Sequence, residues 1–370
     1  MKSSRSGPLF KIPMTAIVAS LLAVLLPATT AYAGSSNPIS IIGSTVPSNG
    51  DVNPYGIARV PVSTGSLVQG DLLISNFNSS ANLQGTGTTI VQISLGGTAT
   101  LFAQIDASTL PGVCPGGVGL TTALAVLRSG WVIVGSLPTT DGTAATAQAG
   151  CLIVLDSNGN VAETFYGSLI NGPWDLTAFD QGSKATLFVT NVLNGTVAAG
   201  GSVVNEGTVV RMVLSVPSGS IPTLESIVTV GSGFSERTDP VALVIGPTGA
   251  GLSPDEATLY VADSLNNRIA AIANPLTRSS SAGVGATVSQ HGALNDPLGL
   301  AVAPSGNILT TNGNNGLVVE TTPSGSQIKR AFLDRSGSPP GAGALFGLVD
   351  VPGQGVYYVD DATNTLNLFE

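Results

Sequence analysis

Short apolar runs, each closed by Gly, Pro, Asn or Ser, return along this chain in one order, and that repetition limits the folds open to it. The clearest unit begins at Asp296. Pro297-Leu298-Gly299-Leu300 leads into an apolar run, Ser305-Gly306 makes a turn, and Ile308 to Asn312 forms a second run. Leu317 to Thr322 and Gln327 to Leu333 follow, separated by further Gly, Asn, Pro and Ser clusters. Runs this short between such breakers read as strands and tight turns. Four antiparallel strands joined in this way make one blade of a β-propeller.

The same opening returns at Pro54-Tyr55-Gly56-Ile57, Pro173-Trp174-Asp175-Leu176 and Pro240-Val241-Ala242-Leu243. Weaker copies, without the proline, lie at Leu120 to Leu124 and Leu345 to Leu348. Second strands ending in Asn or Asp recur at Leu73 to Asn76, Leu187 to Asn191, Leu259 to Asp263 and Val356 to Asp360; Trp131 to Ser136 is the least regular copy. Openings and second strands together predict an all-β, six-bladed propeller of four-stranded antiparallel blades. Seven blades, one strongly diverged, is the alternative count. The last unit stops one strand short at Phe369. Residues 38–43 supply a spare strand that would close the ring and cover an exposed edge.

One stretch is specific enough to suggest a family. Leu259-Tyr260-Val261-Ala262-Asp263-Ser264-Leu265-Asn266-Asn267-Arg268-Ile269 resembles an NHL repeat: Leu-Tyr-Val-Ala-Asp, an Asn-rich turn, then Arg-Ile. The resemblance is strong in this unit, moderate at 296–334 and weak elsewhere. It implies a propeller of a kind that binds proteins, peptides, sugars or RNA, with some related propellers acting as enzymes.

The N-terminus carries Lys2, Arg5 and Lys11, an apolar run from Ile12 to Leu26, and Ala31-Tyr32-Ala33. This reads as a secretory signal peptide cut near Ala33, leaving 34–370 as one domain, secreted or periplasmic. The apolar run is too short to span a bilayer and contains Pro13. Loss of the three leading cations takes the formal charge from −9 to −12. So acidic a chain is a poor partner for nucleic acid or an anionic membrane surface, and a monomer is expected. An oxidising compartment favours a disulfide between the two cysteines, Cys114 and Cys151.

Two sets of polar residues are candidates for chemistry. Asn76, Asn191, Asp263, Asn312 and Asp360 each end a second strand. They can cap the turns that follow, or offer oxygen ligands to Ca²⁺. Asp263 is also spaced for an ion pair with Arg268. The second set, Asn53, Asp175, Asp239 and Asp296, marks the blade openings that line the channel. Trp174 beside Asp175 is distinctive in a chain with only 5% aromatics, and can stack on a sugar or peptide or pack between blades. Gluconolactonase-like and regucalcin-like propellers resemble this fold and hold a metal with a Glu, an Asp and Asn residues. Here no Glu precedes an opening proline, and Asp239 and Asp296 are the nearest substitutes. The single histidine, His291, and the lack of a nucleophile elbow leave no other acid–base set. Two readings follow: a binding module for a protein, peptide or glycan, with no catalytic residue, or a metal-dependent lactonase or related hydrolase.

Overall fold

The computed structural model describes residue 7, residues 38–240 and residues 242–370; the segment 1–33 expected to be a signal peptide lies, residue 7 apart, outside them. The described residues form six antiparallel sheets. Their inner strands are Val52–Arg59, Leu120–Val126, Pro173–Asp180, Pro247–Leu252, Pro297–Val302 and Leu345–Val351. Each packs against the next, and the last packs against the first, so the sheets close as a six-bladed ring. In the sixth blade the outermost strand is Ile39–Ser44, paired antiparallel with Thr365–Phe369 in the register Ile39↔Phe369. Chain-end pairing therefore closes the ring as the sequence predicts. No helix among the described residues is long and apolar enough to cross a membrane.

One blade opening differs from the sequence reading. The fourth blade starts at Pro247-Thr248-Gly249-Ala250, where Pro247 pairs with Asp263 and Ala250 with Val261. Pro240 to Leu243 mimics this pattern seven residues too early. The axis explains the choice, because inner strands crowd there. A side chain at Gly249 would collide with the backbone of Leu298 and Leu300, and one at Gly299 with Phe346 O. Pro240 instead sits in a hairpin peculiar to the third blade. There the outer strand runs on for 17 residues, Thr223–Asp239, and returns as Leu243–Ile245, making this the one five-stranded sheet.

Neighbouring blades are tied by hydroxyls. Ser75 Oγ accepts a hydrogen bond from Gly56 N (3.0 Å) and donates to Thr121 O (2.7 Å) of the next blade. Thr190 does the same between Asp175 N and Thr248 O, and Thr311 between Gly299 N and Phe346 O. Each of these residues immediately precedes a recurrent Asn. In the fourth blade that position is Ala262, and Thr248 Oγ1 and Ser264 Oγ bond to Pro297 O instead. The disulfide forms within the second blade, joining Cys114 in the loop before its inner strand to Cys151, the first residue of its third strand.

Candidate functional site at the opening pole

Second strands run antiparallel to inner strands, so the second-strand ends and the residues before the opening prolines fall at the pole where inner strands begin. Pro54 pairs with Asn76, Pro173 with Asn191, Pro297 with Asn312 and Leu345 with Asp360. Tyr55, Trp174, Leu298 and Phe346 come from four openings and gather on the axis there. Tyr55 stacks on Phe346 (ring centroids 3.8 Å apart) and on Phe77 (4.4 Å). The third-blade hairpin lies across them: Ala242, Leu243, Val244 and Ile245 join the same buried cluster. Trp174 Nε1 donates to Val244 O (3.0 Å). Trp174 is thus 3% exposed, a buried anchor for an apolar cap rather than a stacking surface.

Around this cap lie polar groups that lack partners. Asn53 and Asp296 occupy the same place in their blades, just before the opening proline, and both have left-handed backbones (φ 63° and 56°). That conformation is costly for most side chains and tolerated by Asn and Asp. It accounts for the residue type before the proline at these two openings. It does not account for the side-chain atoms. Asn53 Oδ1 and Asp296 Oδ1 are buried without a hydrogen bond, and the buried Tyr55 hydroxyl has only the neighbouring Asn53 amide. Burial pushes the Asp296 carboxyl up to about 7, the nearby Asp239 charge adding to the rise and Arg237 opposing it. Burial likewise holds the Tyr55 hydroxyl well above its ordinary value, with Asp361 and Asp239 contributing and the adjacent Asn53 amide partly offsetting them. Asp361 is itself pushed to about 7 by burial and by the charge of Asp360.

Asp239 belongs to this group, although not as an inner-strand residue. It ends the long strand of the hairpin, where its carboxylate meets Arg237 Nη2 (3.1 Å) and accepts from Ala242 N (3.1 Å). It borders an open hollow of about 410 Å³ walled also by Gln84, Thr143 and Thr238. Asp361 and Tyr55 were not singled out from the sequence. Asp361 adjoins the recurrent Asp360, but only the fold brings it near Tyr55.

The second-strand series does mostly local work. Asp263 binds Arg268 (2.8 Å) and accepts from Asn266. Asn312 donates to Ala293 O and Asn315 Oδ1, Asn76 donates to Thr45 O and Thr89 Oγ1, and Asp360 accepts from Thr363 N. Asn191 is different: it is fully buried and neither of its amide atoms finds a partner. Asp175 stands apart from the pole. Its carboxylate faces the axial channel and accepts from Ala250 N (2.9 Å).

Among the described residues, no three His, Cys, Asp or Glu side chains come together to hold a metal. The donors at the pole are nevertheless of the kind a hard cation takes, all of them oxygen. Asp239 and Asp296 supply carboxylates and Asn53 an amide oxygen without a partner. Such a set fits a cation whose shell is completed by water or substrate.

The description SMP-30/Gluconolactonase/LRE-like region matches residues 227–335, less than a third of the chain, from the hairpin strand through the fourth and fifth blades. No curated protein sequence matches. Solved structures share the architecture at low identity. A gluconolactonase from Xanthomonas campestris aligns at 14% identity over 86% of each chain, with a TM-score of 0.52. A calcium-binding regucalcin from Agrobacterium tumefaciens aligns at 14% identity over 89% of this chain and 93% of its own, with a TM-score of 0.53. A PQQ-bound aldose sugar dehydrogenase from Streptomyces coelicolor aligns at 16% identity over 90% and 98%, also at 0.53. At these identities the likeness shows the fold.

Proposed function

We propose that this chain is a cation-assisted hydrolase of small cyclic esters, with its reaction site at the opening pole around Asn53, Tyr55, Asp239 and Asp296. One observation carries the reading: two buried oxygens, Asn53 Oδ1 and Asp296 Oδ1, have no partner. Buried polar atoms without partners are costly, and a site for a ligand is a standing reason to keep them. The partial match to the gluconolactonase-like family and the calcium-binding fold relative support it.

Asn53, Asp239 and Asp296 would hold Ca²⁺, which supplies Lewis-acid polarisation of the ester carbonyl when bound. Bound to Ca²⁺, Asp296 would be held as the carboxylate, and its free oxygen would accept the proton of the attacking water. The substrate enters through the hollow beside Asp239, and the apolar cap excludes bulk water from the axis. We also propose that the protein works outside the cytoplasm; N-terminal sequencing of the exported form should begin at Gly34.

A non-catalytic module binding a protein, peptide or glycan is the second reading. It is favoured by the cap itself, since Val244 and its neighbours seal the axis. A single preparation separates the two. After chelation, Ca²⁺ is added back while hydrolysis of a sugar δ-lactone and the melting temperature are followed. Calcium at about 100 times its Kd should add about 2.7 kcal/mol of stability. Asp296→Asn should remove both hydrolysis and the shift. If wild type shows neither hydrolysis nor a calcium response, the hydrolase reading is wrong.

A further inference from the structure

A second cavity opens at the opposite pole. It follows the axis, has a volume of about 360 Å³ and is walled by all six inner strands. Arg59, Val126, Ala178, Leu252, Val302 and Val349 line it and are all at least partly exposed, so the cavity is open towards their end of the inner strands. At the other end the layer of Asp175, Gly299 and Gly347 is backed by the buried Trp174, Leu298 and Phe346. The tunnel is therefore blind. Its lining is mixed: Arg59, Thr122, Thr177 and strand backbone are polar, while the partly exposed Val126, Leu252, Val302 and Val349 give the mouth an aliphatic rim, and Leu176, Leu300 and Leu348 turn into the cores between blades.

Asp175 breaks the pattern of this lining. The equivalent opening residues in four other blades are Gly56, Gly249, Gly299 and Gly347, each pressed against a neighbouring strand. Only the third blade puts a carboxyl at that level, and it is 8% exposed. One oxygen accepts from Ala250 N. No cation compensates it: Arg59, which lines the tunnel with it, is the only other ionisable residue there and lies at the far end of its strand. Burying a carboxylate without a counter-charge is costly.

We propose that the tunnel is a binding site for a primary alkylammonium ion, its nitrogen on the Asp175 carboxylate and its chain reaching to the aliphatic rim of Val126, Leu252, Val302 and Val349. One deep acidic group without a counter-charge and an aliphatic rim at the mouth match that chemistry, and the cavity is within the usual size of small-molecule sites. The carboxyl, which burial alone pushes up to about 8, would be drawn back to its charged form by the ligand. Nothing in this site depends on the opening pole, so its test is independent of the lactonase reading.

The probe is n-hexylammonium, with n-hexanol as the neutral equivalent, titrated calorimetrically into the full mature chain at pH 6.5 and pH 9. Wild type should bind hexylammonium more tightly than hexanol, and more tightly at pH 9 than at pH 6.5. Asp175→Asn, which keeps an acceptor for Ala250 N, should weaken hexylammonium at least tenfold and leave hexanol unchanged. Ala178→Trp fills the half-exposed mouth without touching the carboxyl and should abolish binding of both. Should Asp175→Asn fail to fold, Ala178→Trp and the pH pair carry the test. Equal affinity for amine and alcohol in wild type, or unaltered amine binding by either variant, overturns the proposal.

Discussion

Replacing Arg268 by Met should cost far more than replacing the whole ion pair to which it belongs. Arg268 and Asp263 are both buried, at 7% and 0% side-chain exposure. The guanidinium places Nε and Nη2 each 2.8 Å from Asp263 Oδ2, and reaches on to Val284 O (2.8 Å) and Thr287 Oγ1 (3.2 Å). Burial raises the Asp263 carboxyl even so, outweighing the attraction of Arg268. For Asp263, desolvation thus outweighs the attraction of its partner, and either partner alone would be an uncompensated buried charge. Arg268→Met leaves Asp263 with Asn266 as its side-chain donor. The loss should be about 3–5 kcal/mol, whereas Arg268→Met with Asp263→Leu should cost much less than the single change. The sign with pH follows from linkage. In the single variant the folded carboxyl titrates still further above its unfolded value, so stability falls as pH rises through that range. Urea unfolding followed by tryptophan fluorescence and circular dichroism, at pH 4.5 and pH 8, measures each term, and coincidence of the two signals checks two-state behaviour. A single variant within 1 kcal/mol of wild type, or a double variant as unstable as the single, would refute this account.

Asp175 titrates near 8 in the fold against an ordinary value near 4, so wild-type stability should decline from pH 4 to pH 8; Asp175→Asn should lessen that slope by up to about 5 kcal/mol in pH-dependent urea titrations. Changing both Cys114 and Cys151 to Ser opens a loop spanning 37 residues and should lower stability by about 4 kcal/mol, read from the urea midpoint with and without reductant. Thr311→Val strands Phe346 O and Gly299 N at the blade junction and should cost about 1–3 kcal/mol, whereas the same change at the exposed Thr223 should cost under 0.5 kcal/mol.

Much of the ring was legible because a strand's partners are largely set by its own pattern. Turn residues punctuate the chain, and the alternation between them assigns faces. The Asp263–Arg268 pair was also readable, since antiparallel pairing across a short turn puts those two residues opposite each other. The blade-tying hydroxyls had a signal that the Asn series overshadowed: Ser75-Asn76, Thr190-Asn191 and Thr311-Asn312 are the same dipeptide motif in three blades. The opening at Pro240 failed because a four-residue pattern cannot distinguish Pro-Val-Ala-Leu from Pro-Thr-Gly-Ala. Crowding on the axis does distinguish them, and crowding is a property of the assembled ring.

The returning strand-and-turn unit by itself pointed to a six-bladed ring closed by residues 38–43, with seven blades as the alternative, and the two cysteines of an exported chain pointed to a disulfide. Those depend on local propensity and on counting. Which polar residues form a site was decided only by tertiary structure. Asp239 reaches the pole because a hairpin extends from the third blade, the charge of Asp361 acts on Tyr55 from the neighbouring blade, and Trp174 is buried beneath Val244. Burial and proximity between distant strands give each of these side chains its environment, and neither is written in the residues on either side of it.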